Sequence, residues 1–270
     1  MTASRPAARL PATRLLATRL LAAPLLLAAS VALATLPTTL HAEEAAATDR
    51  IIVLINPNSN ADTTRSMTEI AAKATAGVAV VEGKSNAGVP PLLTTPQDLA
   101  DALPGVVRIG VEAAADERVK AIIISAFGDP GLPELRAEVD LPVFGIREQA
   151  FHEAARGGRP FGIATTTPDP GLLEGFRQTA ASLGYESQFR GTRATPGDPN
   201  ALMAKSPDAL DAALAEAVKA SMADGAEAVI IGGGPLTASA LRLQPQFDIP
   251  LVVPVIAAAQ AAAAAVEASN

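Results

Sequence analysis

The stretch VKAIIISAFGDPGLPEL, Val119 to Leu135, decides the fold. Ala121 to Ile124 is a continuous apolar run rich in β-branched residues, short enough for a strand buried on both faces, as in parallel sheets. It breaks into Gly128-Asp129-Pro130-Gly131, where Asp129 reads as a helix N-cap and Pro130 as the first helical position. A strand therefore feeds a helix through a tight loop. In open α/β sheets, loops at the carboxyl ends of strands are where ligands bind, so this loop is the first candidate for a site.

The pattern returns about a hundred residues on, in Ala226 to Leu236 (AEAVIIGGGPL), and aligning the two strands sets Ser125, Ala126 and Phe127 against Gly232, Gly233 and Gly234. Arg50 to Met67 and Pro160 to Phe176 are a second similar pair, each a strand, a polar loop with proline, and a helix. The chain thus reads as α/β, with two pseudo-symmetric parallel-sheet halves whose four equivalent loops face one another across a site.

Outward from these segments, the sequence predicts strands at Ile51–Ile55, Val78–Val81, Val143–Gly145, Phe161–Ala164, Gln188–Thr192, Val229–Ile231 and Leu251–Val253. Helices are expected at Asp62–Ala76, Glu148–Arg156, Pro170–Leu183, Pro207–Ala223 and from Ile256 onward. Pro104-Gly105 should split Gln97–Leu103 from Val106–Ala115. Two irregular loops, Gly83 to Pro96 and Arg193 to Lys205, complete the pattern, and the first is long enough to cover a site.

Residues 1–42 obey different rules. Arg5, Arg9, Arg14 and Arg19 precede an apolar stretch from Leu20 to Leu36, and the segment closes on Leu40-His41-Ala42. This is the pattern of a cleavable secretory signal, followed by a linker at 43–49 and a folded region at 50–270. An uncleaved anchor is the alternative, against which Pro24 and the modest apolar length argue. Export to the periplasm or medium is expected, with no membrane attachment after cleavage.

Charge and composition narrow the function classes. Of 21 basic residues, four leave with the signal, so 17 remain against 28 acidic ones, a formal balance of −11. Such a chain without a basic stripe is a poor partner for nucleic acid. The sequence has no Cys, which excludes disulfides and thiol chemistry, and His152 is its one histidine beyond the signal, so zinc sites of His and Cys are excluded too. No metal or cofactor motif is present, since Gly232-Gly233-Gly234 lacks the Lys-Ser/Thr of a phosphate loop.

Chemistry is expected at the loop ends. Backbone N–H groups and helix dipoles there can receive an anion or a polar ring, aided by neutral Asn, Ser and Thr donors. The candidate binding residues are Asn56, Asn58, Ser59, Phe127, Gly128, Thr165, Thr166, Thr167 and Gly234. Asp129 is a weak catalytic candidate, better explained as a cap. His152 reads as a packed or solvated helix residue, and Tyr185 stands alone.

Ile55-Asn56-Pro57-Asn58-Ser59, Phe127 to Leu132, Pro142-Val143-Phe144-Gly145-Ile146 and the strand from Phe161 to Thr167 resemble the hydantoin racemase branch of the Asp/Glu racemase superfamily. The resemblance runs from about Arg50 to Val266. It implies substrate held between two halves, no cofactor, and two cysteines that exchange the Cα proton from opposite faces. Those two positions are Ala126 and Gly233 in this chain. Neither has a proton to exchange, and Ser125, beside the first, should point to the opposite face.

The resemblance therefore implies a degenerate racemase, a pseudoenzyme that binds a small carboxylate, an amino acid or a hydantoin-like compound. The alternative is an active racemase or isomerase with unconventional acid and base residues. A structural partner protein whose loops bind nothing is a third reading, and a homo-oligomer stays open.

Overall fold

Eight strands form two separate four-stranded parallel sheets in a computed structural model that describes residues 49–269. The first sheet contains β1 (Ile51–Asn56), β2 (Val80–Ser85), β3 (Val119–Ile124) and β4 (Val143–Gly145), in spatial order β2-β1-β3-β4. The second contains β5 (Phe161–Thr165), β6 (Phe189–Ala194), β7 (Ala228–Gly232) and β8 (Leu251–Val252), in order β6-β5-β7-β8. The two orders are the same, so the chain is an α/β fold of two like halves.

The helices are α1 (Ala61–Ala74), α2 (Pro96–Ala114), α3 (Leu132–Glu138), α4 (Ile146–Ala154), α5 (Pro170–Ser182), α6 (Pro199–Met203), α7 (Pro207–Ala223), α8 (Thr237–Leu243) and α9 (Pro254–Ala268). Alternation along β1 shows why it is apolar throughout. Ile51, Val53 and Ile55 meet Val106 and Ile109 of α2 and Leu132 and Leu135 of α3. Ile52 and Leu54 face Met67 and Ala71 of α1 on the other side. Burial of each such side chain contributes roughly 1.5–3 kcal/mol.

Two helices change sides. α4 follows the first sheet in sequence, yet its Ala150, Phe151 and Ala154 pack with Phe161, Ile163 and Ile230 of the second. α9 follows the second sheet, yet its Val255, Ala258, Ala259, Ala262 and Val266 pack with Ile52, Leu54 and Ile123 of the first. Each half is closed by a helix that the other half supplies.

Several sequence expectations need correction. β2 runs to Ser85 rather than stopping at Val81, because an edge strand tolerates the polar Glu82 and Lys84. α2 is one helix with Pro104 inside it. A capping box between Thr95 and Asp98 starts it, buried Ala102, Val106 and Ile109 hold it, and the Asn86 amide donates to the Ala102 carbonyl at 3.0 Å. The second loop contains α6, capped by Asp198. Tyr185 is partnered, its hydroxyl 2.8 Å from His152 Nδ1 on the surface.

The largest correction concerns Asp129. It does not cap the helix that follows it: α3 starts two residues later than expected, behind Gly131. Asp129 instead adopts a left-handed φ of 47° and turns its carboxylate to the start of α4. The proposed signal and most of the linker lie outside the described residues.

Candidate functional site

The carboxyl ends of β1, β3, β5 and β7 meet at a cavity enclosing about 660 Å³ of empty space, its mouth included. Both halves build it, as expected for loops at equivalent places. Asn58, Ala126, Phe127 and Gly128 come from the first half, and Thr165, Thr166, Thr167, Gly233 and Gly234 from the second.

The equivalence of the halves extends to single hydrogen bonds. The N–H of Asn86 donates to the Asn56 carbonyl, and that of Thr195 to the Thr165 carbonyl. The N–H of Asn58 meets Asn56 Oδ1 at 3.3 Å, and that of Thr167 meets Thr165 Oγ1 at 3.3 Å. Asn56 and Thr165 are thus counterparts. With Ile55 beside Ile124 and Thr165 beside Gly232, Ala126 and Gly233 hold matching positions, and both line the cavity.

The residues around them fix the backbone tightly. Thr165 Oγ1 donates to the Gly232 carbonyl at 3.0 Å, tying the ends of β5 and β7 together. Gly233 has φ 138°, a region that side chains rarely adopt. At Gly234 a Cβ would fall 2.6 Å from Met67 Sδ and 3.1 Å from the Ser125 carbonyl, so a side chain there would have to displace Met67. Ser125 donates its hydroxyl to Met67 Sδ at 3.1 Å, and that contact occupies its one proton.

The wall is largely apolar. Phe127 is buried and stands edge-on to Phe176, with ring centroids 5.1 Å apart. Leu92 and Leu93 from the loop before α2, Leu99 of α2, Leu172 of α5 and Met203 of α6 complete it. The sequence reading missed these. Its one signal was the Leu92-Leu93 pair inside a proline-rich polar loop, since such residues otherwise look like ordinary core.

Three expected residues do not reach the cavity. Asn56 is fully buried behind it, Ser59 spends its N–H on the Pro90 carbonyl, and Asp129 lies behind Gly128. The Asp129 oxygens accept the backbone N–H groups of Arg147 at 3.0 Å and Glu148 at 2.9 Å. Burial pushes its pKa up to about 6, against the pull of Arg147 and the two N–H donors. The carboxylate therefore caps α4 and is not placed to act on a ligand.

Among the described residues, no Lys, Arg, His, Asp or Glu side chain lines the cavity. Two of the helix starts expected to receive an anion are already occupied. Asn60 caps α1 through the Thr63 N–H at 3.0 Å, and Asp169 caps α5 through the Leu172 N–H at 3.0 Å. What remains is an apolar chamber with a few neutral polar groups. It can hold an uncharged ring, and it offers no acid–base pair. His152 and Tyr185 lie outside it.

The sequence matches the Asp/Glu/hydantoin racemase family over residues 52–262. It is 28% identical to a hydantoin racemase of Paenarthrobacter aurescens over 216 residues, covering 78% of this chain and 89% of that one. Among solved structures, allantoin racemase from Klebsiella pneumoniae superposes with a TM-score of 0.75 at 26% identity, over 82% of this chain and 89% of the other. Allantoin racemase from Pseudomonas fluorescens shares the fold at a TM-score of 0.73 and 21% identity, over 81% of this chain and 92% of the other.

Proposed function

The chain belongs to the Asp/Glu/hydantoin racemase family, and on that premise we propose that it is an exported binding module for a hydantoin-like compound and does not racemise it. One observation carries this reading: Ala126 and Gly233 occupy the matching loop ends, in a cavity lined by no ionisable side chain. Proton transfer at a carbon next to a carbonyl needs a base on one face and an acid on the other. Neither position supplies one. Hydroxyls of Ser and Thr, without a neighbouring base, are far too weakly acidic to replace a thiol.

The absence of lining charge favours a neutral ring over an amino acid or dicarboxylate, whose charges would lose hydration there with no oppositely charged partner. The relatives named for hydantoin and allantoin racemisation support the same ligand class. The basic and apolar character of residues 1–42 supports export.

The test is a binding screen of 5-alkylhydantoins, amino acids and dicarboxylates, with solvent-exchange measurements in heavy water. Hydantoins should bind and keep the hydrogen at C5. Asn58→Ala and Thr166→Ala should each weaken binding. Deuterium incorporation by the unmodified protein would establish the rival reading, an active isomerase with unconventional residues. Binding of dicarboxylates alone would overturn the choice of ligand.

A further inference from the structure

Asn56 touches no part of the cavity, yet its hydrogen bonds determine what the cavity offers. The backbone N–H of Asn60 can only donate, so the Asn58 atom it meets at 2.9 Å is Oδ1. That same Oδ1 accepts Asn56 Nδ2 at 2.7 Å. The Oδ1 of Asn56 faces back to the Asn58 N–H at 3.3 Å. Its second Nδ2 proton goes to Thr64 Oγ1 at 2.9 Å, with the Asn60 carbonyl at 3.2 Å beside it. Thr64 gives its own proton to the Asn60 carbonyl at 3.0 Å, which leaves Ser85 as the donor in their 2.6 Å contact.

Every polar atom of Asn56 is therefore engaged within the protein. With Asn58 Oδ1 holding two donors, Nδ2 is the polar group that Asn58 has left, and among the described residues it has no hydrogen-bond acceptor. Turning the Asn58 amide over would set its Nδ2 against two N–H donors at once, at a cost of about 1–3 kcal/mol for each group left unpaired.

We propose that Asn56 is a positioning residue: it locks the Asn58 amide so that the cavity presents a hydrogen-bond donor to a carbonyl of the ligand, while the absence of charged lining residues favours a carbonyl that is uncharged. The inference rests on the binding reading given above. The second half has no counterpart to this device. Thr165, which matches Asn56, directs its hydroxyl to a backbone carbonyl and not to a neighbouring side chain. The side-chain amide donor that the cavity presents therefore comes from the first half.

Two measurements test this on the full-length chain. Without ligand, side-chain amide spectra should show Asn56 Nδ2 protons protected from solvent exchange and Asn58 Nδ2 protons exchanging freely. Protection of the Asn58 protons instead would overturn the proposal. Titration with 5-isobutylhydantoin should be weakened about tenfold by Asn58→Ala and by a similar factor by Asn56→Asp, whose carboxylate cannot donate to Asn58. The double variant should bind no worse than Asn58→Ala alone. Additive losses, or undiminished binding by Asn56→Asp, would show that Asn56 acts only on stability or not at all. If the unmodified chain ignores this hydantoin, the ligand reading fails, and the exchange measurement still decides the role of Asn56.

Discussion

Asp129 Oδ1 accepts the backbone N–H of Arg147 at 3.0 Å, so a loop of the cavity wall is tied to the first turn of the helix that crosses to the other sheet. Asn at this position would turn an amide N–H₂ toward one of the two N–H donors. Asp129→Asn should therefore lower stability near neutral pH by about 1–3 kcal/mol.

The pH dependence of that group has a definite sign. Its pKa in the folded chain is raised to about 6, above the ordinary carboxylate value, so its contribution is greatest at low pH and is lost as pH rises through 6. Between pH 7.5 and 5.5, denaturant titrations should show the parent gaining roughly 1 kcal/mol relative to Asp129→Asn. A parent and variant whose difference stays constant over that window would contradict the assignment.

Pro104 interrupts the hydrogen bonding of α2 at an exposed position, and the helix continues regardless. Pro104→Ala should restore a backbone N–H and raise stability, by about 1–3 kcal/mol if the helix is otherwise unchanged. A lower melting temperature would mean that the ring makes a contact worth more than the missing bond.

Placing a thiol at each of the two matching loop ends is the most direct probe of the proposed lack of proton-transfer chemistry. Ala126→Cys with Gly233→Cys should racemise a 5-alkylhydantoin measurably by polarimetry, and neither single change should. A Cβ at Gly233 would meet Leu236 at an ordinary 3.5 Å, so space permits the side chain. The positive φ still costs stability, on the order of 1 kcal/mol, and folding of the double variant must be verified first. A folded, inactive double variant would show that the chamber has diverged beyond its two thiol positions.

Intact-mass measurement on exported material should give a chain starting near Glu43. Recovery of residues 20–36 in the membrane fraction would favour an uncleaved anchor.

The strands beneath the site were legible because Ile51–Ile55, Ala121–Ile124 and Val229–Ile231 are apolar in every residue, which a strand covered on both sides demands. The internal repeat was legible for the same reason, and it paired Ala126 with Gly233 correctly. Asp129 was misread because Asp-Pro is a strong local signal, whereas its true partners are Arg147 and Glu148, reached only through tertiary packing. The apolar lining escaped notice because Leu92, Leu99, Leu172 and Met203 carry no periodicity that separates a chamber wall from a core.

The exchange of α4 and α9 between sheets makes the two halves depend on each other for closure. Ile52 waits for Val255, roughly two hundred residues away, before its core is closed. Until α9 is in place, Ile52, Leu54 and Ile123 lack the cover it supplies, so the core of the first half closes only with the last helix. Loss of the helix that starts at Pro254 would strip β1 of the cover given by Val255, Ala258, Ala259, Ala262 and Val266. Damage to α9 is felt about two hundred residues away in the core around β1.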